Sequence, residues 1–251
     1  MQAPAFNVGA LLSESWRNTQ LLKVTFWPAL IVALLVSMAI NYCAIHLFHY
    51  PPNQSAPYWI AFYLIPFVNS YLLGPLYAGL IMLSVQHFRG EKVSFTTPLR
   101  YYRHFFLLGT TMFLVALLSD LGWNIVAHPI LTQHFSARTL HIVAVAICTI
   151  IGVSISLMLA LSADKKLSPW RALATSFQLT KSSWGQILGV FLVVYALIII
   201  SFYFLLFLLI VTHGIMLIVA IATILLAFWL VPFMLVTYGA IYHHIVDRTV
   251  M

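Results

Sequence analysis

Charged side chains are scarce in this 251-residue chain, and acidic ones are the scarcest: it has twelve Lys and Arg but only five Asp and Glu. A soluble domain carries about 25% charged residues, whereas this chain has 7% and is 63% hydrophobic. Too few polar side chains are present to hydrate a globular surface, so an ordinary soluble domain is excluded and lipid must be the main solvent. No basic block is long enough for a nucleic-acid-binding arm.

Cysteine and catalytic motifs are also scarce. Cys43 and Cys148 are the two cysteines, and their positions within their apolar runs differ in depth by roughly 15 Å, which is too far for a disulfide. The chain contains no Gly-x-Ser-x-Gly elbow, no Ser-x-x-Lys pair and no Gly-rich phosphate loop. We therefore expect no enzyme activity and no cofactor. The N-terminus lacks a basic n-region and the first apolar run follows an amphipathic stretch, so no cleavable signal peptide is expected.

The chain is rich in long apolar runs, at about 24–48, 58–86, 105–127, 139–163, 186–211 and 215–245. Each reaches the ~20 residues that a helix needs to cross ~30 Å of hydrocarbon. The second and sixth runs are the longest and contain proline, so they are expected to tilt, kink or project beyond the bilayer. The predicted fold class is an all-α integral membrane protein with six transmembrane helices in a single polytopic domain, 1–251.

The basic residues are concentrated on one side of this predicted topology. Eleven of the twelve lie near the N-terminus, in the connections that follow the second and fourth runs, or at the C-terminus; Arg138 alone lies in an opposite connection. By the positive-inside rule, both termini are predicted to be cytoplasmic.

Each cytoplasmic connection is predicted to form an amphipathic helix at the membrane surface. The first covers 5–22 and can be capped by Asn7, while Thr97-Pro98 and Ser168-Pro169 would open the other two. Ser and Thr are favourable N-caps, and proline is favourable at the first helical position. The chain is thus expected to consist of three internal units, each an interfacial helix followed by a two-span hairpin, at about 5–88, 94–163 and 168–247.

We term these cytoplasmic connections joints. Three segments at the joints resemble a loose group of bacterial inner-membrane proteins, which includes the YciC-like family and the membrane domain fused to some bacterial glycerophosphodiester phosphodiesterases. The resemblance is carried by Gly74-Pro75-Leu76-Tyr77-Ala78-Gly79-Leu80, by Arg89-Gly90-Glu91-Lys92-Val93-Ser94-Phe95, and by Ser168-Pro169-Trp170-Arg171-Ala172-Leu173 with Ser176-Phe177-Gln178-Leu179-Thr180-Lys181. It implies six helical spans with interfacial helices, a location in a bacterial inner membrane and no assigned chemistry. The soluble catalytic domain of those phosphodiesterases has no counterpart in this chain.

One carboxylate lies inside a predicted span. Asp120, Asn124 and His128 are spaced i, i+4 and i+8, and Asn41 and Asn69 lie in neighbouring spans. A carboxylate in hydrocarbon costs roughly 2.5–3.5 kcal/mol on insertion scales, so it normally faces the bundle interior or water. These five residues could line an outward-facing polar cavity. Alternatively, Asp120 lies shallow and is satisfied by water or interhelical hydrogen bonds.

Other polar residues suggest contacts with lipid rather than chemistry. Six histidines lie at or outside the outer face, but no pair has the spacing of a zinc site, so no metal is expected. Candidate contacts to anionic lipid are the basic residues of the second and third joints: Arg100, Arg103, Arg171 and Lys181. The lipid bilayer and other membrane proteins are the expected partners; nucleic acid is not.

Two functions follow from these patterns. The first is a non-enzymatic membrane protein that supports membrane or envelope homeostasis or scaffolds other membrane proteins. The second is a small transporter or lipid-handling protein that uses the cavity near Asp120. A bundle packed solid with apolar side chains favours the first, and a continuous polar cavity that opens outward favours the second.

Overall fold

A computed structural model describes residues 6–48, 57–126, 136–211 and 216–247. These residues are almost all helical, and six helices are long and apolar enough to cross a membrane. The chain is therefore an all-α, multi-pass membrane protein. Its elements are α1 (Val8–Phe48), α2 (Pro57–Phe88), a 3-10 helix (Pro98–His104), α3 (Phe105–Val126), α4 (Ala137–Ile155), α5 (Met158–Asp164), α6 (Pro169–Lys181), α7 (Trp184–Val211), α8 (Met216–Tyr242) and a π-helical turn (His243–Asp247).

The spans pair as hairpins: α1 packs on α2, α3 on α4, and α7 on α8. Helix α2 is central, because it also contacts α3, the 3-10 helix, α5 and α8. Helices α2, α5 and α8 run in the same direction and end together. We term that end of the bundle, which also carries the 3-10 helix and α6, the basic end, and the opposite end the far end.

The first joint differs from the expected separate surface helix. Residues 5–22 were predicted to precede the first span, but a single 41-residue helix runs from Val8 to Phe48, with Pro28 inside it. Asn7 caps it as expected: its Oδ1 accepts from the N–H groups of Gly9 and Ala10 at 2.8 and 3.2 Å. No turn-forming residue interrupts the chain near Lys23, so the amphipathic segment continues directly into the span.

The fourth predicted span is divided into α4 and α5 by a turn at Ser156 and Leu157. The Ser156 hydroxyl donates to the carbonyl of Val153 at 2.8 Å. The carbonyl of Ser154 accepts from the Ser176 hydroxyl of α6 at 2.7 Å instead of serving its own helix. Serine side chains that compete for backbone partners bend helices, which explains the break.

The other two joints also differ in detail from the predicted surface helices. The segment opened by Thr97-Pro98 is a 3-10 helix. Ser168 has N-cap backbone geometry, but its side chain makes no capping bond. Helix α6 buries a stripe of small residues, Ala172, Ser176 and Thr180, and leaves Trp170 and Phe177 exposed. Its aromatic face is therefore available to the membrane surface, as the amphipathic pattern predicted.

Glycine permits the closest contacts around α2. A Cβ on Gly79 would lie 2.5 Å from the Cα of Pro98, so the 3-10 helix can pack on α2 only because residue 79 has no side chain. A Cβ on Gly74 would lie 2.9 Å from the carbonyl oxygen of Leu108 in α3. The Gly74-to-Gly79 segment and the Thr97-Pro98 joint, which the sequence pattern singled out separately, are thus in contact.

Burial is unevenly distributed between the two ends. In α7 the buried residues lie between Ile187 and Val194, near its start, and in α8 they lie from Phe233 onward, near its end. Large apolar side chains on the remaining two-thirds of α7 and on the first half of α8 are mostly exposed. The buried core of the described chain is therefore concentrated toward the basic end.

Candidate functional site

Arg89 follows the last residue of α2, and its guanidinium binds two carboxylates from distant parts of the chain. Its Nη1 and Nη2 donate to the two oxygens of Asp164 at 2.9 Å each. Its Nε and Nη2 donate to those of Asp247 at 2.9 and 2.7 Å. Since Asp164 ends α5 and Asp247 ends the turn after α8, one arginine connects the returning ends of all three hairpins. We term these three residues the Arg89 cluster.

Neighbouring side chains complete the hydrogen bonding of the Arg89 cluster. The Tyr242 hydroxyl donates to Asp164 at 2.8 Å, and the Lys165 ammonium lies 3.3 Å from the same carboxylate. His243 Nδ1 lies 2.8 Å from Asp247 Oδ2. Hydrogen bonds to Asp164, and then those to Asp247, raise the pKa of Arg89 above its ordinary value. With Lys165 included, two cations balance two carboxylates.

The first helix reaches the same end of the bundle through two weaker polar contacts. Glu14 Oε2 lies 3.3 Å from His244 Nε2, in the turn that also carries Asp247. Asn18 Oδ1 lies 3.3 Å from His87 Nε2, two residues before Arg89. The N-terminal part of α1 is therefore joined to the same structure by polar side chains as well as by packing.

The geometry of the Arg89 cluster suits a structural joint. All four oxygens of Asp164 and Asp247 accept at least one hydrogen bond from Arg89. Arginine binds carboxylates in two-pronged pairs of fixed geometry. Breaking such a buried pair is costly because it leaves a charge without a partner. The cluster should therefore hold the hairpins in one arrangement.

Beside the Arg89 cluster is an open cleft of about 240 Å³, between the 3-10 helix, the end of α2 and the connection after α5. We term it the basic cleft. Four basic or imidazole side chains line it: Arg100, Arg103, His104 and Lys166. Its other lining residues are Gln86, Thr97, Tyr101 and Ala163. No carboxylate lines it among the residues that the structure describes.

The predicted lipid contacts divide into two groups. Arg100 and Arg103 lie together in the basic cleft. Arg171 and Lys181 lie near opposite ends of α6, are exposed, and do not line that cleft. The sequence pattern suggested that all four side chains bind anionic lipid in the same way. In the fold, Arg100 and Arg103 lie in a cleft, whereas Arg171 and Lys181 lie on an open surface.

The predicted intramembrane polar site is described only in part. Asp120 and Asn124 belong to α3, but their side chains, like His128 as a whole, lie outside the described part of the structure. The exposed Asn41 donates to the carbonyl of Ser37, in its own helix, at 2.8 Å. Asn69 Oδ1, in α2, is buried and has no hydrogen-bond partner among the described residues. Whether these residues line one cavity stays a prediction.

Three important residues were missed by sequence reasoning: Asp164, Asp247 and Lys166. A usable signal was present, because Asp164 and Asp247 are acids at the ends of the fourth and sixth apolar runs, and the second run is followed by Arg89. In a chain with five acids in total, two at equivalent positions of repeated units could have suggested a common partner. Nothing in the sequence pointed to Lys166.

No protein-family model, curated protein or solved structure matches this chain. Among the residues that the structure describes, no three His, Cys, Asp or Glu side chains converge as metal ligands would. Four of the outer histidines, His49, His128, His134 and His213, lie outside those residues.

Proposed function

We propose that this multi-pass protein is a non-enzymatic component of a bacterial inner membrane that scaffolds other membrane proteins and thereby supports envelope homeostasis. The observation that carries the proposal is a contrast between the two ends of the bundle. At the basic end the Arg89 cluster joins the hairpins, whereas toward the far end α7 and α8 expose apolar side chains that no described helix covers. Helix α7 exposes Ile200, Tyr203 and Phe207 on one side. Within a membrane such an apolar face contacts either lipid or a second transmembrane helix, and we assign it to a helix of a partner protein.

The polar side chains support a structural role as well. The ionisable groups of the Arg89 cluster bind each other rather than a cavity. Between α7 and α8 there is a void of about 20 Å³, lined mainly by apolar and aromatic side chains, including Phe191 and Met234. A space of that size holds about one water molecule. We infer that the packed end supplies rigidity while the exposed spans supply contact surface.

Site-specific photo-crosslinking in intact cells tests the scaffolding role. A photoreactive residue at position 207 should give a discrete adduct with another integral membrane protein, identified by mass spectrometry. Ile142 on α4, which is also exposed, serves as the matched lipid-facing control and should give none. Protein adducts at neither position, or equally at both, would contradict a dedicated docking face. An adduct with a second copy of this chain would replace scaffolding by self-association.

The proposed orientation places the basic end in the cytoplasm, because eleven of the twelve Lys and Arg belong to connections on that side. A reporter that is active only outside the cytoplasm tests it. Fusion after Gln54 should give activity and fusion after Lys166 should not. The opposite result would invert the orientation.

The second candidate function is a small transporter or lipid-handling protein, and Asn69 is the observation that favours it. A buried amide oxygen without a partner costs free energy, and such groups often bind water or a ligand. If Asn69 and Asp120 share a transport site, Asn69→Leu and Asp120→Asn should each abolish function while the protein still accumulates in the membrane. Normal function in both variants would exclude this alternative.

A further inference from the structure

The basic cleft contains cations that lack protein counter-charges. The side chains of Arg100, Arg103 and Lys166 form no ion pair with any residue within the four described ranges. The nearby carboxylate of Asp164 is already bound by Arg89, Lys165 and Tyr242. All three side chains are exposed, so water and salt screen their mutual repulsion, and an anion bound between them would lower it further. Charges are therefore paired within the Arg89 cluster but not among the cations that line the basic cleft.

The end of α5 determines where Lys166 lies. Lys166 has a φ of 53°, and it is the one non-glycine residue in the described structure with a positive φ. It follows Lys165, the C-cap of α5, at the position where helices commonly end in a left-handed residue. This turn leads the chain from α5 toward α6, and Lys166 lines the cleft together with residues of the 3-10 helix.

The dimensions and surroundings of the cleft restrict its ligand. Its volume of about 240 Å³ is far above the ~10–15 Å³ that one water needs, so the cleft has room for a phosphate group. Arg and Lys are the residues that bind phosphate most effectively. Three exposed apolar side chains, Phe95, Leu99 and Phe106, lie on or beside the same 3-10 helix. They would place the opening of the cleft against lipid.

We propose that the basic cleft binds a phosphate group at the membrane surface, supplied by the headgroup of an anionic phospholipid. Arg100 and Arg103 donate hydrogen bonds from one wall and Lys166 contributes its charge from the other, with Gln86 available as a further donor. This inference goes beyond the scaffolding role, since it requires the chain to be in a membrane but requires no partner protein.

The test uses the full-length protein in nanodiscs that contain phosphatidylglycerol and phosphatidylcholine, with bound lipid counted by native mass spectrometry. The variant Arg100→Gln/Arg103→Gln/Lys166→Gln should bind phosphatidylglycerol at least tenfold more weakly than the wild type. The matched control, Lys92→Gln/Arg171→Gln/Lys181→Gln, removes the same charge from exposed positions outside the cleft. Because exposed basic residues attract anionic lipid in general, it should lose some affinity, but at least threefold less than the cleft variant.

Each outcome decides the question. Equal losses in the two variants would show general attraction of anionic lipid to a basic surface and would overturn the site; no loss in either would do the same. If inorganic phosphate displaces phosphatidylglycerol from the wild type at millimolar concentration, the ligand is a soluble phosphate and the lipid assignment is wrong. Should the triple variant fail to fold, Lys166→Gln alone must show at least a threefold loss. A failed crosslinking test would leave this result unaffected.

Discussion

The two ends of the bundle are built differently, although the same six spans connect them. At the basic end, helices pack on one another, bury large side chains such as Phe26 and Tyr242, and share the Arg89 cluster. Toward the far end, α7 and α8 expose apolar side chains that no described neighbour covers. In hydrocarbon, burial of apolar surface gives little driving force because lipid tails are equally apolar. Cohesion must therefore come from packing and polar contacts where the helices do meet.

The same substitution in the two regions should reveal this difference most strongly. Phe26→Ala removes a ring that is fully buried at the contact of α1 with α2 and α8. It should cost about 2–4 kcal/mol of unfolding free energy, mostly from the cavity that it leaves, because the transfer term is small in lipid. Phe207→Ala removes a ring that is 59% exposed on α7, and should cost less than about 0.5 kcal/mol. Thermal unfolding in one detergent measures both. Similar losses of unfolding free energy in the two variants would show that packing does not differ between the two regions.

Removing the central cation should have the next largest effect. Arg89→Met deprives Asp164 and Asp247 of their shared partner, and a broken buried ion pair costs about 3–5 kcal/mol. Because the Arg89 side chain is 23% exposed, we expect about 2–3 kcal/mol. Arg138→Met, which removes the exposed arginine at the start of α4, is the control and should leave the melting temperature unchanged. A melting temperature equally insensitive to Arg89→Met would exclude a structural role for the cluster.

The close approach of the 3-10 helix to α2 should give a smaller effect. Gly79→Ala would place a Cβ 2.5 Å from the Cα of Pro98, and such overpacking costs about 1–3 kcal/mol. Gly152→Ala in α4 is the matched control, since nothing lies within 4 Å of its added Cβ; it should be neutral or stabilise the helix by up to about 1 kcal/mol. Equal stability of the two variants would show that the 3-10 helix does not need this contact.

The sequence predicted the number and order of the spans well, because hydrophobic length is a strong local signal. It also located the Asn7 cap and the second and third joints, each of which opens at a proline, although neither Thr97 nor Ser168 makes the predicted capping hydrogen bond. It could not show that α1 is continuous through Lys23, since an amphipathic segment followed by a span reads the same whether or not a bend separates them. The break at Ser156 depends on Ser176, which is distant in sequence.

The polar site was harder to predict than the fold. Arg89 is 75 residues from Asp164 and 158 from Asp247, so no local pattern joins them. Asp120 is the more conspicuous acid in the sequence, because it lies inside a predicted span, where carboxylates are rare. The acids at span ends looked like ordinary boundary residues, and their shared partner became evident only when the three hairpins were assembled.

A double-mutant cycle tests the central claim, that Arg89 joins the hairpin ends, most directly. Arg89→Met, Asp247→Asn and the double variant would be compared by unfolding in the same detergent, with Asp164 intact throughout. Direct charge contacts couple by about 1.5 kcal/mol or more, so the two single losses should exceed the loss in the double variant by at least about 1 kcal/mol. Strictly additive losses would show that the two side chains do not stabilise each other and would contradict the account.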